Sequence, residues 1–274
     1  MIRSIPMIRD RSGAAVGAPR DQSASGRADR VQEVSRAAGP SLVAPVPVRL
    51  TTALHSPTGG LPGVPRTGGM PDSGRATLEF QDVVRRRRMV RSFEDRPIPP
   101  AVAERIVANA QRAPSAGFSQ GWAFLVLEGK EETARYWDAL WPLERRAEFG
   151  WPDMFNAPLL IVCLSHKRHY LQRYAEPDKG WTDMDERRWP VPYWDIDTGM
   201  AALLMLLTAV DASLGAVFFG VPDQARLRAT FGVPDDFTAI GTVAIGFAKS
   251  GDRPSPSLRR GHRSAGDVIH RGAW

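Results

Sequence analysis

Three observations predict a mixed fold, of α/β or α+β class, for this chain of 274 residues. Two short, unbroken apolar runs, at 122–127 and 158–164, are typical of buried strands. Apolar residues recur at helical spacing from Val102 to Ala110, which predicts an amphipathic helix. The segment 195–213 is apolar on nearly every side, which predicts a helix buried on most of its surface.

The other elements follow along the chain. Apolar residues from Leu78 to Val84 predict a first helix that runs toward a cluster of arginines. After a proline-rich break, Pro100 or Ala101 begins the second helix. Three further elements are predicted: a helix at 131–148 and strands at 214–219 and 238–247.

Residues 1–75 differ from the rest in composition. They are dominated by Gly, Pro, Ser, Ala and Arg and contain no aromatic residue. Such a composition buries too little surface to offset the entropy of ordering, so we expect a disordered tail before a folded domain at 76–274. An alternative interpretation is that translation begins at Met70 and that the upstream residues are not part of the protein.

The formal charge of +6 lies mostly in this predicted tail, because residues 1–75 hold ten arginines, no lysine and five acids. The remainder is nearly neutral, so we expect no nucleic-acid partner. The single cysteine, Cys163, excludes an internal disulfide and is typical of a reducing compartment, so we expect a cytoplasmic protein. No apolar run reaches the length of a membrane span. His166 and His169 lack further ligands at suitable spacing, so no metal site is predicted.

Five arginines occupy seven positions at 85–91. Arg85 and Arg86 lie at the predicted C-terminus of the first helix, where cations oppose the helix dipole favourably. The other three, Arg87, Arg88 and Arg91, lie beside apolar residues that should anchor the backbone. Guanidinium groups held in this way suit a phosphate or another compact anion.

Two further segments are candidates for ligand contacts. Near the C-terminus, Arg260 and Arg263 belong to a second arginine set that could clamp the same phosphate. The turn at 113–122 is built from small and polar residues and leads directly into a predicted strand. Small side chains let a flat ligand approach the backbone, while Ser115 and Gln120 offer directional hydrogen bonds.

Taken in order, these pieces resemble the nitroreductase family of flavin-dependent oxidoreductases over about 77–274. The pieces that match are 87–93 (RRMVRSF), 112–117 (RAPSAG) with Gln120 and Trp122, 197–201 (DTGMA), 212–220 (ASLGAVFFG) and 263–270 (RSAGDVIH). Two positions depart from the family pattern: Met89 stands where many members have Ser, and Phe118 stands where Asn is common. These departures bear on the substrate more than on the cofactor.

The resemblance implies an α+β sandwich that forms a homodimer through the long buried helix, with FMN at the subunit interface. The implied cofactor contacts form three sets. The set at the phosphate and ribityl chain is Arg87, Arg88 and Arg91, with Arg260 or Arg263 closing over the phosphate. The set against the flavin ring is Pro114, Ser115, Ala116 and Gln120. Phe219 and Gly220 run past the reactive edge of the ring, where a backbone N–H can bond N5.

The function implied is hydride transfer from NADH or NADPH through FMN to a small electrophilic acceptor, such as a nitroaromatic or quinone, with ping-pong kinetics. No side chain is assigned a role as a catalytic acid or base. The alternatives are a specialised flavin reaction, such as dehalogenation or flavin cleavage, and a non-catalytic flavin-binding protein. For the long insertion at 168–193, two interpretations remain open: a lid that selects the acceptor, or a segment that only packs against the dimer.

Overall fold

The computed structural model describes residues 78–274, so the predicted tail at 1–75 and the alternative start at Met70 lie outside the described residues. Within 78–274 the fold is α+β, with seven α-helices and four β-strands. The helices are α1 (Phe80–Arg86), α2 (Pro100–Ala110), α3 (Gly129–Leu140), α4 (Leu143–Ala147), α5 (Lys167–Ala175), α6 (Tyr193–Asp211) and α7 (Gln224–Phe231). The strands are β1 (Trp122–Glu128), β2 (Leu159–Ser165), β3 (Gly215–Phe219) and β4 (Thr238–Gly246).

The strands form one antiparallel sheet in the order β1-β2-β4-β3. Strand β2 is buried along its whole length, as its unbroken apolar run predicts. At its centre, Cys163 pairs with Phe124 of β1 on one side and with Gly241 of β4 on the other. Burial there raises the pKa of the Cys163 thiol to about 12, so this group is a core residue.

Helices cover both faces of the sheet. On one face, Ile106 of α2 and Met205 of α6 belong to a core cluster with residues of β2, β3 and β4. On the other face, Tyr136 and Trp137 of α3 and Leu227 of α7 belong to a second cluster, rich in aromatic rings. The sheet therefore lies between two helical layers, and each layer supports a different part of the candidate site.

The helices differ from the sequence-based expectations in three respects. The single helix predicted at 131–148 is divided into α3 and α4, because Pro142 cannot continue an α-helix and disfavours the helical conformation in the residue before it. The insertion at 168–193 contains most of α5, although its sequence has no clear period. Helix α7 was not predicted at all.

Helix α6 begins at Tyr193 and is less buried than its composition predicts. Ala201 and Met205 are fully buried, whereas Ile196, Met200 and Leu203 are exposed to 38%, 40% and 48%. By length and composition this helix could span a membrane, but half of its apolar window is buried inside the fold, and core helices of soluble proteins meet the same test.

Candidate functional site

The backbone that follows α1 is anchored to the edge of the sheet. Arg87 leaves the helix with φ −58° and ψ 118°. Two residues later, Met89 pairs with Ala216 of β3 in parallel, and the Val90 N–H donates to the Ala216 carbonyl at 2.9 Å. The side chains of Val90 and Phe93 are buried. The predicted anchoring of the arginines by apolar neighbours is therefore present.

Acidic side chains hold two of the five arginines. Arg85 pairs with Asp82 at 2.5 Å on the exposed face of α1, and this hydrogen bond lowers the pKa of Asp82. Arg88 pairs with Asp252, whose side chain is only 1% exposed. Asp252 also accepts the backbone N–H of Arg91 at 2.9 Å, so one buried carboxylate binds both residues.

The remaining arginines have different surroundings. The Arg91 guanidinium lies 5.3 Å from the centre of the Trp151 ring, a cation–π contact. The side chains of Arg86 and Arg87 have no ion pair or hydrogen bond within residues 78–274. Arg87 is partly buried, and Arg86 lines a cleft of about 200 Å³ together with Arg88 and residues near the start of β3. Arg87 and Arg91 are thus partly buried cations that no acidic side chain within 78–274 neutralises.

The loop at 114–121 joins α2 to β1 and is closed by its own hydrogen bonds. Ser115 Oγ accepts the Gln120 N–H at 3.0 Å, and the Ser115 carbonyl accepts the Phe118 N–H at 2.9 Å. Gly117, Phe118 and Gln120 have φ values of 61°, 56° and 50°. A left-handed conformation is ordinary for glycine but strained for a bulky side chain such as phenylalanine.

This loop presents part of its surface outward. Phe118 is 75% exposed, although it is a large apolar side chain. Pro114 and Gln120 are also exposed, and Ser115 and Ala116 are partly buried. A cleft of about 320 Å³ lies beside the loop, lined by Val107, Gln111, Gln120, Trp122, Ala123 and Phe124. The structure therefore brings the four predicted ring contacts together on one loop.

Polar groups from α5 and α6 also bind the loop. The Ala116 N–H donates to Asp197 Oδ2 at 2.8 Å, and the Tyr170 hydroxyl donates to the same oxygen at 2.9 Å. Arg173 Nε donates to the Gly117 carbonyl at 2.9 Å. Burial, together with the hydrogen bond to Asp197, raises the pKa of Tyr170 far above its ordinary value, so the hydroxyl remains a donor.

Phe219 and Gly220 end strand β3. The Phe219 ring stacks on Trp137 at 5.7 Å, with 17° between the ring planes, so its side chain belongs to the aromatic core. Gly220 is exposed, and a Cβ added to it would meet nothing within 4 Å. The backbone, rather than a side chain, is what this pair offers to a ligand.

The C-terminal arginines form no polar contact with the arginine segment among the described residues. Arg260 and Arg263 are exposed, and Arg263 donates to the carbonyl of Asp267 in its own turn at 2.8 Å. Among the described residues, no hydrogen bond or ion pair joins either of them to 85–91. Their predicted role over the phosphate remains a prediction.

The histidine pair lies beside the other end of the loop. The His166 N–H donates to the Gly121 carbonyl at 2.9 Å. His166 Nδ1 accepts the His169 N–H at 2.9 Å, which leaves Nε2 to donate to Asp236 at 2.8 Å. Across 78–274, the structure forms no group of three or more side chains able to hold a metal ion. In this structure His166 caps α5 and donates a hydrogen bond to Asp236.

Several residues that shape this site were not predicted from the sequence. Asp252 and Trp151 contact the arginine segment from distant parts of the chain. Arg173 lies in the insertion that had no clear pattern. Asp197 was part of a recognised motif, and that motif was the one signal that could have identified it.

The family model described as the Nitroreductase family matches residues 84–247, which is more than half of the chain and includes all four strands. The chain belongs to the Nitroreductase family. This confirms the resemblance and makes the protein an oxidoreductase enzyme of the general NAD(P)H and flavin type.

Individual proteins are similar to this chain in sequence or in fold. A relative from Archaeoglobus fulgidus, provisionally named NADH dehydrogenase/NAD(P)H nitroreductase, is 27% identical over 192 residues, covering 69% of this chain and 94% of that protein. The crystal structure of a nitroreductase family protein from Clostridium difficile has a TM-score of 0.53 at 18% identity, covering 72% of this chain and 100% of that one. A Staphylococcus epidermidis structure, provisionally described as an NAD(P)H:FMN oxidoreductase, has a TM-score of 0.50 at 18% identity, covering 72% and 97%.

Proposed function

We propose that this nitroreductase family protein is an FMN-dependent enzyme that passes hydride from NADH or NADPH to a small electrophilic acceptor of the nitroaromatic or quinone type. The observation that carries the proposal is the side chain of Arg87. It is partly buried, has no partner within 78–274, and extends from a backbone fixed to β3. A guanidinium in this setting suits the phosphate of a mononucleotide.

The arginine segment would hold the phosphate and ribityl end of FMN. Arg87 supplies a charge that no acid within 78–274 neutralises, and Arg91 supplies a second guanidinium beside Trp151. Arg88 is already paired with Asp252, so it would help to position the backbone beside the phosphate rather than supply a free charge. Arg260 and Arg263, which are exposed, would close over the phosphate from the C-terminal segment.

The ring end would lie against small side chains and backbone. Pro114, Ser115 and Ala116 present little bulk, which lets a flat ring approach the main chain. Gly220 leaves open space where a side chain would stand. Bound FMN would supply the hydride chemistry, while these residues orient the ring and exclude water from one of its faces.

A homodimer is part of the proposal. The exposed apolar residues Ile196, Met200 and Leu203 lie three to four positions apart, so they form one stripe along α6. A stripe of this kind on a long helix is typical of a protein–protein interface. We place the enzyme in the cytoplasm, since its one cysteine is a buried free thiol.

The test is the visible spectrum of the purified full chain, recorded as isolated or after addition of FMN, and again after NADPH or NADH is added without oxygen. A flavin spectrum that bleaches with one nicotinamide, and recovers when a quinone or nitroaromatic is added, supports the proposed function. A chain that takes up no FMN overturns the cofactor assignment. A bound flavin that neither nicotinamide reduces overturns the enzymatic part.

A further inference from the structure

The loop at 114–121 has a conformation that its own residues do not favour. Phe118 and Gln120 both adopt left-handed φ values, which side chains other than glycine, asparagine and aspartate rarely do. Backbone of this kind persists only where the surrounding structure determines it, and it concentrates at functional sites. Groups outside the loop must therefore determine its shape.

Two polar contacts hold the middle of the loop. Asp197 on α6 is 3% exposed, and a carboxylate this deeply buried needs hydrogen-bond donors. One of its oxygens receives both the Ala116 N–H and the Tyr170 hydroxyl. On the other side of Gly117, Arg173 donates to the carbonyl and is itself fixed by two hydrogen bonds to Asp178, at 2.7 and 2.8 Å.

Two aromatic rings of the insertion, Tyr170 and Tyr174, pack against the same loop. A Cβ added to Gly117 would lie 2.6 Å from the Tyr174 ring, and one added to Gly121 would lie 2.5 Å from the Tyr170 ring. These rings are packed in turn against Trp189, at 4.4 Å from Tyr174 and 5.9 Å from Tyr170. The loop therefore packs closely against these aromatic rings at Gly117 and Gly121.

We propose that Asp197, Tyr170 and Arg173 form a brace that fixes the shape of the 114–121 loop, and that the insertion at 168–193 is a permanent support rather than a lid. The three are positioning residues, because they act through the loop. Their effect on FMN rests on the proposed function. Their effect on the loop does not rest on the proposed function, because their hydrogen bonds to the loop form within the chain without any ligand.

The first experiment measures hydrogen–deuterium exchange of the full-length, flavin-free protein. In Asp197→Ala, we expect the amides of 115–121 to exchange at least tenfold faster than in the unmodified protein, while those of β2 stay unchanged. Arg173→Met should show the same effect on a smaller scale. Arg187→Met is the matched control, because that arginine lies in the same insertion, is 91% exposed and pairs only with its sequence neighbour Asp185. Unchanged loop exchange in both brace variants would overturn the proposal.

Tyr170→Phe provides a second route if Asp197→Ala does not fold, because it removes one donor to Asp197 and keeps the ring. The brace predicts faster exchange at Ala116 in this variant without loss of the aromatic packing. A lid would behave differently: its own amides at 168–193 would become protected when FMN or an acceptor is added. Such protection would contradict a permanent support.

The second experiment separates the brace from the proposed function. FMN and riboflavin are titrated into the flavin-free forms of each variant and followed by flavin fluorescence. A brace that acts at the ring end weakens both ligands equally in Asp197→Ala, by about fivefold or more. If the loop loosens but even the unmodified chain binds neither ligand, the brace stands and the proposed function fails. If both ligands bind the variant as tightly as the unmodified chain, the role assigned to the brace in flavin binding is wrong.

Discussion

The carboxylate of Asp252 accepts the backbone N–H of Arg91 at 2.9 Å and pairs with the side chain of Arg88. It therefore ties the segment after β4 to the segment after α1, and it lies almost completely out of solvent. This contact fixes where the arginine segment runs. Because Arg88 is paired with Asp252, its charge is not available to a ligand.

We expect Asp252→Ala to lower the free energy of unfolding by about 1–3 kcal/mol, because a partly buried N–H and a guanidinium both lose their acceptor. Urea denaturation of the full chain measures this. Asp183→Ala is the control, since its pair with Arg188 is about half exposed on both sides and should contribute at most about 1 kcal/mol. Equal stability of the two variants would contradict a structural role for Asp252.

Arg87 should discriminate between flavins with and without a phosphate. Arg87→Ala is expected to weaken FMN binding by about tenfold to a hundredfold, because a hydrogen-bonded charge pair is lost, and to leave riboflavin binding nearly unchanged. Fluorescence titration with both ligands measures the difference. Arg85→Ala serves as the control, because Arg85 is already paired with Asp82 on the exposed face of α1. Equal losses for FMN and riboflavin would show that Arg87 does not contact the phosphate.

Phe118 should carry strain that an asparagine relieves. The backbone of Phe118 has a φ of 56°, in the left-handed region, which asparagine tolerates better than phenylalanine. Phe118→Asn is therefore expected to raise the free energy of unfolding by about 1 kcal/mol. Phe118→Ala is the matched variant, because it removes the same ring without favouring that conformation. In thermal unfolding, we expect the asparagine variant to be the most stable, the unmodified chain to be intermediate and the alanine variant to be the least stable. An asparagine variant no more stable than the alanine variant would argue against strain at this position.

Much of the fold could be predicted from local patterns. The unbroken apolar run at 158–164 identified β2 to within one residue, because a strand buried on both faces leaves a signal that needs no partner to interpret. Helix α7 was missed because its apolar period is short and only Leu227 is fully buried. Its ends nevertheless carried readable signals: Asp223 caps the N-terminus, and Gly232 ends the helix with φ 67°.

The contacts that shape the candidate site could not be predicted in the same way. Arg88 and Asp252 are 164 positions apart, and Arg173 and Gly117 are 56 apart. No periodicity links residues at such separations, since only the folded topology brings them together. Residue type alone identified the arginines as candidates, but it could not show which of them an acid already holds.

The stability of the fold should depend on pH through the carboxyl group of Asp236. The hydrogen bond from His166 lowers the pKa of Asp236 below its ordinary value. A carboxyl with a lowered pKa in the folded state contributes stability that is fully present above about pH 4, its unfolded pKa, and that is lost as the pH falls through the folded value. We therefore expect Asp236→Asn to be less stable than the unmodified chain at pH 7, with the gap closing toward pH 3 in urea denaturation. Asp235→Asn is the control, because Asp235 is fully exposed and lies 3.7 Å from its nearest cation, Arg228. A gap for Asp236→Asn that stays constant with pH would show that His166 does not stabilise the ionised carboxylate.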